Sequence, residues 1–162
     1  TDLDRHNLLL INNCIYLNQI LHINYMTYDV QRNQDSINPC THSDIMMLTC
    51  EDSSDDQSHS YLYARVIGIF HVIVQLVGTW NSSSKNNSAK KMEFLWVHWY
   101  SFDTAISSGF KARCLPCLGF LSEDDPEAFG FIDPRDVICA SHIVLAYHYG
   151  QTQDILPPSI CR

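Results

Sequence analysis

Two pairs of metal-binding residue types stand at short spacing in the C-terminal half of the chain. Cys114 and Cys117 form a C-x-x-C pair within "KARCLPCLGF", and Cys139 and His142 form a C-x-x-H pair within "CASH". Three thiolates and one imidazole are a ligand set that a tetrahedral structural zinc accepts, and two short knuckles with a spacer resemble known zinc modules. The spacing therefore gives a candidate zinc site, although the Leu and Pro residues beside the thiols are ordinary strand and turn material.

Other chemistry drawn from the same residues has weaker support. A redox pair needs a helix N-terminus to activate one thiol, and Pro116 and Gly119 disfavour a helix there. Seven cysteines and eight histidines always allow a cysteine nucleophile and a histidine base to be drawn. No family-like signature surrounds any of these thiols, so the sequence does not predict an enzyme.

Two acidic stretches are interpreted as turns. "EDSSDDQSH", residues 51–59, lacks the intervening Gly and the alternating ligand positions of a hard-cation loop. In "SEDDPEAFGFIDPRD", we expect Ser122 or Asp125 to cap a turn that begins at Pro126, and Asp133 to open the next turn. These carboxylates are therefore predicted to be structural rather than an acid and base pair.

Aromatic residues form the other candidate site. In "FLWVHWY", Trp96 and Tyr100 fall on one face of a predicted strand and Trp99 on the other, so one set must be core. The remainder, together with Tyr61 and Tyr63 from the preceding strand, would bind a partner or surround a methylated ammonium group, which π faces attract. Packing is the commoner role of such rings. These five residues are the predicted binding site.

The elements that must position these residues are mostly strands. Leu8, Ile11 and Ile15 near helical spacing, with Asp2 or Asp4 as N-cap, predict a helix within residues 1–20. "LHINYMTY" alternates like a strand, "QRNQDSINP" breaks it with turn formers, and "SDIMMLTC" is a second strand. After Gly109, short apolar pieces separated by Pro and Asp predict further short strands.

The strongest pattern is "YLYARVIGIFHVIVQLVG" followed by "MEFLWVHWYSF". Period-two alternation predicts an antiparallel pair with one apolar face. The predicted core residues are Val66, Phe70, Val72, Val74, Leu95 and Val97. The fold class is therefore mainly β: a small curled antiparallel sheet or barrel (residues 21–156), preceded by the helix (1–20) and followed by a tail (157–162).

Composition limits the partners. The chain has 162 residues, 46% of them hydrophobic, and a net charge of −8 without a long basic run, so capture of nucleic acid or anionic membrane by charge alone is not indicated. No apolar stretch approaches the length that crosses a bilayer. The odd number of irregularly spaced cysteines and the lack of a basic leader predict reduced thiols in an intracellular protein. A start at Thr1 rather than Met suggests a piece of a longer chain.

From residue 22 onwards the chain resembles a known fungal domain. The segments that carry the likeness include "YARVIGIFHV", "MEFLWVHWY" and "FKARCLPCLGFLSEDDPEAFGFIDPRDVICASHIVLAYHYGQTQDILPPS". They are similar to a C-terminal domain of large proteins of mushroom-forming fungi that are often encoded by Plavaka-like or KDZ-type DNA transposons. "YLYARVIGIFHV" with "FLWVHWY" also resembles, more loosely, the strands that open a BAH-type chromatin interaction domain.

The fungal pattern favours arginine at several positions where this chain has another residue. These positions are Gln31, Cys40, His98, Cys114, Cys117, Cys139 and Gln151. A single C-to-T change on one DNA strand or the other converts a CGN arginine codon into a Cys, His or Gln codon, so the resemblance implies mutational decay of a transposon copy and a partly accidental zinc quartet. It also implies a non-catalytic, nuclear module that binds a chromatin, protein or nucleic-acid partner; a zinc-stabilised nucleic-acid module is the alternative.

Overall fold

The computed structural model describes residues 8–49, 60–76, 88–103, 105–106, 108 and 112–144. Within these ranges the chain is an antiparallel β protein, and no α-helix of seven or more residues occurs. The strands are β1 (Leu8–Leu10), β2 (Tyr16–Asn18), β3 (Leu21–Met26), β4 (Arg32–Ile37), β5 (Asp44–Leu48), β6 (Tyr61–Leu76), β7 (Lys90–Phe102), β8 (Leu118–Phe120), β9 (Phe129–Ile132) and β10 (Val137–Ala140).

The long antiparallel pair β6–β7 is the centre of an eight-stranded sheet. β5, β2 and β1 pair in turn along the outer edge of β6, while β9 and β8 pair along the outer edge of β7. β10 extends the sheet beyond β5, and β3 and β4 form a separate hairpin. β10 and β8 end the main strand order without pairing to each other, so the described sheet is open and the mainly β prediction is confirmed without a closed barrel.

A β-bulge divides β6 into two halves. Val66 pairs with Val97 and Gly68 pairs with Trp96, so Ile67 is an extra residue on the β6 side. Such a residue breaks strict alternation, and the side chains beyond it point to the opposite face from the one that the sequence pattern predicts.

The bulge corrects the predicted core. Val66, Leu95 and Val97 belong to the buried cluster as expected, and Ile69 joins them because the bulge turns it inward. Phe70, Val72 and Val74 lie on the other face of the hairpin; Val72 is buried there, and the other two are half-buried. We call the side of β6–β7 that carries Ala64, Val66, Ile69, Leu95 and Val97 the core face.

The core face is covered by the β3–β4 hairpin and flanked by β5 and β10. Their apolar side chains complete one cluster with it: Leu21 and Ile23 from β3, Ile37 from β4, Ile45 and Met47 from β5, and Val137 and Ala140 from β10. A sheet must bury its apolar face against another layer, and the hairpin is that layer here.

The predicted N-terminal helix is wrong for residues 8–20. Leu8–Leu10 and Tyr16–Asn18 are strands that pair with the second half of β6, and a single 3₁₀ turn at Ile11–Asn13 separates them. The hydrogen bonds offered by the β6 edge override a short stretch of helical spacing, because isolated helical propensity is a weak preference.

Two other parts of the sequence prediction have clear outcomes. "QRNQDSI" is not a turn, since β4 occupies most of it, while the predicted strands at "LHINYM", "DIMML", β6 and β7 are confirmed. The acidic stretch 51–59 and the tail 157–162 lie outside the described residues. In the described ranges no helix has the length and apolar character to cross a membrane.

Candidate functional site

The side of the hairpin opposite the core face carries a row of aromatic rings, which we call the aromatic face. Register places alternate residues of β7, β8 and β9 on this face. In β6 the alternation shifts at the bulge, so Tyr63 before it and Phe70 beyond it lie on the same face. Its members are Tyr63, Phe70, Phe94, Trp96, His98, Tyr100, Phe120, Phe129 and Phe131. Ring contacts across neighbouring strands join members into two groups: Phe70, Phe94 and Phe131 in one, and Trp96, Phe129, His98, Phe120 and Tyr100 in the other.

One end of the aromatic face is closed by a charged network. Arg65 donates from Nε to Asp44 Oδ1 over 2.8 Å and from Nη2 to Asp44 Oδ2 over 3.3 Å, a two-point contact that fixes both planes. The Tyr100 hydroxyl donates to the same carboxylate over 2.9 Å. The guanidinium lies over the rings of Phe120 at 5.1 Å and Tyr100 at 5.9 Å. The network joins β5, β6, β7 and β8.

Ionisation in this network is strongly biased. Burial, and then the negative charge of Asp44, raise the pKa of the Tyr100 phenol far above its ordinary value, although Arg65 acts in the opposite direction. Burial lowers the pKa of Arg65, but its hydrogen bond to Asp44 and the nearby charges outweigh this, and the pKa is raised. Tyr100 is therefore a neutral hydrogen-bond donor and Arg65 a fixed cation at physiological pH.

His98 forms the middle of the row and is buried, with 2% of its surface exposed. Its imidazole is stacked between Phe120 and Phe129, with centroid distances of 4.6 and 4.4 Å. Nε2 lies 2.9 Å from the carbonyl oxygen of Leu121, so this nitrogen carries the proton. Nδ1 is buried without a hydrogen-bond partner among the described residues. The ring works as a packing element between two phenyl groups.

The other end of the aromatic face is open. Phe131 of β9 is 70% exposed, and Met92 of β7 is 50% exposed. Phe94 is stacked on Phe70 at 5.5 Å and meets Phe131 edge-on at 5.7 Å, while Trp96 lies beside Phe129. We call Phe70, Met92, Phe94, Trp96 and Phe131 the open end.

The five predicted binding residues do not share one site. Tyr63, Trp96 and Tyr100 lie on the aromatic face, but Tyr63 packs against Phe102 near the closed end, and Trp96 lies beyond the bulge. Tyr61, at the start of β6, is 42% exposed. Trp99 belongs to the opposite side, where it packs on the core. The guanidinium of Arg65 lies over the rings of Tyr100 and Phe120, so a cation of this chain already contacts Tyr100.

The predicted zinc quartet is not assembled either. Cys114 and Cys117 precede β8 at one end of the strand order, whereas Cys139 lies in β10 at the other end, with His142 just after it. Three strands separate the two pairs. In the part of the chain that the structure describes, no group of three or more His, Cys, Asp or Glu side chains is arranged to hold a metal ion.

A shallow groove of about 350 Å³ beside Cys139 gathers several reactive residue types, including Asp35, His42 and His142. Burial, and then the charge of Asp35, raise the pKa of the Cys139 thiol, so it is protonated at neutral pH and a poor nucleophile. Asp35 accepts hydrogen bonds from the Tyr25 hydroxyl and the Ala140 N–H. These contacts make the groove a structural joint between the β3–β4 hairpin and β10.

Sequence reasoning missed the partners that organise the aromatic face. The alternation of β6 indicates that Arg65 is a polar-face residue, but nothing local pairs it with Asp44, twenty-one positions earlier. The rings on β8 and β9 lie in short segments whose register only the assembled sheet determines. The predicted turn capping by Asp133 is confirmed, since its carboxylate accepts the Arg135 N–H.

No protein-family model, curated protein or solved structure matches the chain.

Proposed function

We propose that the chain is a non-catalytic interaction module, a BAH-like β domain of a transposon-derived fungal protein, and that it binds a protein partner of chromatin in the nucleus. The observation that supports this proposal is the open end, where the exposed side chains of Met92 and Phe131 lie on the same face as the half-buried rings of Phe70, Phe94 and Trp96. Contiguous exposed apolar surface on a small domain is typical of a binding site.

The two ends of the aromatic face differ in a way that favours the open end as the contact. At the closed end the rings already have a cation and a carboxylate as partners. At the open end, Phe131 exposes most of its surface and Met92 exposes half of its surface. Burial of exposed aromatic and Met side chains is a large favourable term in protein recognition. A protein surface fits better than nucleic acid, because the chain carries a net charge of −8.

The test compares variants of the open end in binding to reconstituted mononucleosomes and to a displayed library of random peptides. We expect Phe131→Ser and Met92→Ser to weaken binding about tenfold each, by loss of buried apolar contact, while folding is unchanged. Leu48→Ser is the matched control, since Leu48 is 57% exposed but lies on β5, away from the patch.

Two results would contradict the proposal. One is binding to free DNA of the same sequence as tightly as to the mononucleosome, with no peptide selected. The other is binding that Leu48→Ser reduces as much as Phe131→Ser does. The structure separates the four predicted ligands of the zinc-stabilised alternative, so it gives that alternative no support.

A further inference from the structure

Over its first residues, the outer edge of β7 has no partner strand among the described residues. β9 pairs with β7 from Leu95 to His98 and β8 pairs with it further on, but no described strand pairs with this edge before Leu95. The ladder ends because Pro134, next in line after β9, has no N–H and begins a 3₁₀ turn at Pro134–Asp136. An edge strand that stops pairing in this way leaves backbone donors and acceptors exposed.

The direction of these backbone groups follows from the ladder. Trp99 donates its N–H to Ala128 and accepts from Leu121, so its backbone groups point outward, away from β6. Alternate residues of an antiparallel strand point to the same side, and therefore Lys91 and Glu93 also direct N–H and C=O outward. Lys91 and Glu93 thus direct four backbone groups outward, and none of the four pairs with a strand among the described residues.

A groove lies beside this edge. It has a volume of about 460 Å³ and is lined by Lys90–Glu93 and Asp133–Arg135, together with Ser88, Leu8 of β1 and Val74 of β6. Met92, which lines the groove, is also a residue of the open end. The groove is therefore continuous with the apolar patch of the proposed function.

The charges around the groove differ from those of the whole chain. Three cations, Lys90, Lys91 and Arg135, meet two carboxylates, Glu93 and Asp133, although the chain as a whole is acidic. Lys91 is paired with Glu93 at 2.6 Å, and Asp133 accepts the backbone N–H of Arg135. No ion pair with a described residue engages the side chains of Lys90 and Arg135.

We propose that an extended peptide bearing a carboxylate adds as a strand to the β7 edge at residues 90–94. Only a polypeptide backbone supplies alternating N–H and C=O groups that match Lys91 and Glu93, so the edge selects peptide over nucleic acid. An Asp or Glu of the peptide pairs with Lys90 or Arg135, and an apolar residue rests on Met92. This inference depends on the proposed function and names the form of the partner.

The experiment selects a phage-displayed library of random decapeptides on the full chain and then measures the affinity of the winning synthetic peptide. We expect winners that alternate β-branched residues and carry Asp or Glu. Glu93→Pro removes the outward N–H without removing a β6–β7 hydrogen bond, and we expect affinity to fall about tenfold or more. Glu93→Ala keeps the N–H and is the matched control.

Two measurements keep the result clear if Glu93→Pro perturbs folding. In the unmodified chain, the peptide should slow hydrogen exchange of the Lys91 and Glu93 amides. Arg135→Glu, at an exposed position, should weaken the carboxylate-bearing peptide about threefold to tenfold and spare a version with Gln in its place.

Several outcomes would overturn the inference. In the first, the selected peptides bind Glu93→Pro and the unmodified chain with equal affinity but fail to bind Phe131→Ser. That result would support the proposed function and exclude strand addition. A concentration-dependent dimer that Glu93→Pro abolishes would assign the edge to a second copy of this chain. Failure to enrich any peptide would count against strand addition, while mononucleosome binding would still test the proposed function separately.

Discussion

At the scale of single residues, the aromatic rings depend on glycines that leave room for them. A Cβ on Gly68 would lie 2.5 Å from Phe70 Cε2, because that ring folds back over the glycine on the aromatic face. On the core face, a Cβ on Gly130 would lie 2.7 Å from Trp99 Nε1. A glycine under an aromatic ring on a neighbouring strand position is a known device for stabilising sheets.

Gly130→Ala should therefore destabilise the protein by about 1–3 kcal/mol, because the Trp99 indole must leave its packed position in the core. Gly119→Ala is the matched control, because a Cβ at Gly119 in β8 would have no heavy atom of a neighbouring residue within 4 Å. We expect Gly119→Ala to change stability by less than about 0.5 kcal/mol. Urea unfolding of the two variants measures the difference, and equal losses would show that the ring does not limit position 130.

The buried phenol of Tyr100 predicts alkaline sensitivity. Its folded pKa is raised above the ordinary value of 10.0, so its contribution to stability is complete below pH 10 and is lost as the pH rises towards the folded value. Each such group lowers the free energy of unfolding by about 1.4 kcal/mol per pH unit in that window. In Tyr100→Phe, the free energy of unfolding should therefore fall less steeply above pH 10, by this amount per pH unit.

The measurement is the urea midpoint of both proteins from pH 8 to 11, with absorbance at the phenolate band as an independent titration. Tyr61→Phe is the control, because Tyr61 is an exposed ring of the same type. Tyr25 also has a raised pKa, from burial and Asp35, so the difference between proteins rather than the absolute slope isolates Tyr100. A slope that Tyr100→Phe leaves unchanged would contradict the expectation.

At the scale of elements, the bulge in β6 decides which side chains become the core and which the aromatic face. Deletion of Ile67 should preserve both faces, because Val66 and Gly68 would then become consecutive and keep their partners on β7. Deletion of Gly68 instead places an isoleucine beneath Phe70, where even a Cβ would come too close.

We expect the chain lacking Gly68 to be less stable than the chain lacking Ile67 by about 1–3 kcal/mol, from overpacking alone. Thermal or urea unfolding of the two deletion variants makes the comparison, and both share the loss of one residue from the same strand. If the two variants were equally stable, or if deletion of Ile67 were the more harmful, the bulge itself would be stabilising the fold.

The β3–β4 hairpin is held to the main sheet by a polar contact as well as by its apolar side. Asp35 accepts from the Tyr25 hydroxyl at 3.2 Å and from the Ala140 N–H at 2.9 Å, so it joins β4, β3 and β10. Asp35→Ala should cost about 1–3 kcal/mol, since a half-buried donor loses its partner. Asp35→Asn keeps one acceptor oxygen and should cost less.

Hydrogen exchange of the Ala140 amide reports this contact directly. We expect its protection to fall in Asp35→Ala and to be retained in part in Asp35→Asn. Loss of global stability without any change at that amide would mean that Asp35 acts only within its own hairpin.

The sequence predicts those strands in which apolar and polar residues alternate within the strand itself. β3, β5, β6 and β7 follow from period-two spacing, and Val66, Leu95 and Val97 follow as core. β4 could not be predicted in this way, because only Asp35 and Ile37 of its six residues turn inward and the rest are polar and exposed. The bulge at Ile67 stands beside Gly68, and an isolated glycine within a strand pattern is a weak signal for a bulge. Strict alternation ignores this signal and inverts the face of every later β6 residue.

The candidate site was predictable only in its parts. Aromatic residues on alternate positions of β7 indicate a ring-bearing face, but the separation of Tyr61 and Tyr63 from Trp96 depends on register with β7. The cysteine spacing is a real pattern in the sequence. The order of the strands in the sheet decides whether the four predicted ligands meet, and residue spacing does not predict that order. Long-range pairing is the information that local patterns lack.

At the scale of the whole molecule, strand pairings differ greatly in sequence separation. β6 and β7 follow each other along the chain and form the longest ladder. β2 reaches β6 across 53 positions, as in the contact between Asn18 and His71, and Asp35 meets Ala140 across 105 positions. Contacts between distant segments lose more chain entropy before they form, so they slow folding.

Folding should therefore begin at the β6–β7 hairpin and take milliseconds to seconds. Val97→Ala and Val137→Ala are a matched pair, because both remove the same atoms from nearly fully buried valines, one in the central hairpin and one in β10. Each should cost about 1–3 kcal/mol at equilibrium. Val97→Ala should mainly slow folding, with a φ-value above about 0.5, and Val137→Ala should mainly speed unfolding, with a φ-value below about 0.3. Stopped-flow kinetics in urea gives both values; a φ-value for Val137 as high as that for Val97 would mean that the distant β5–β10 pairing is already present when the central hairpin closes.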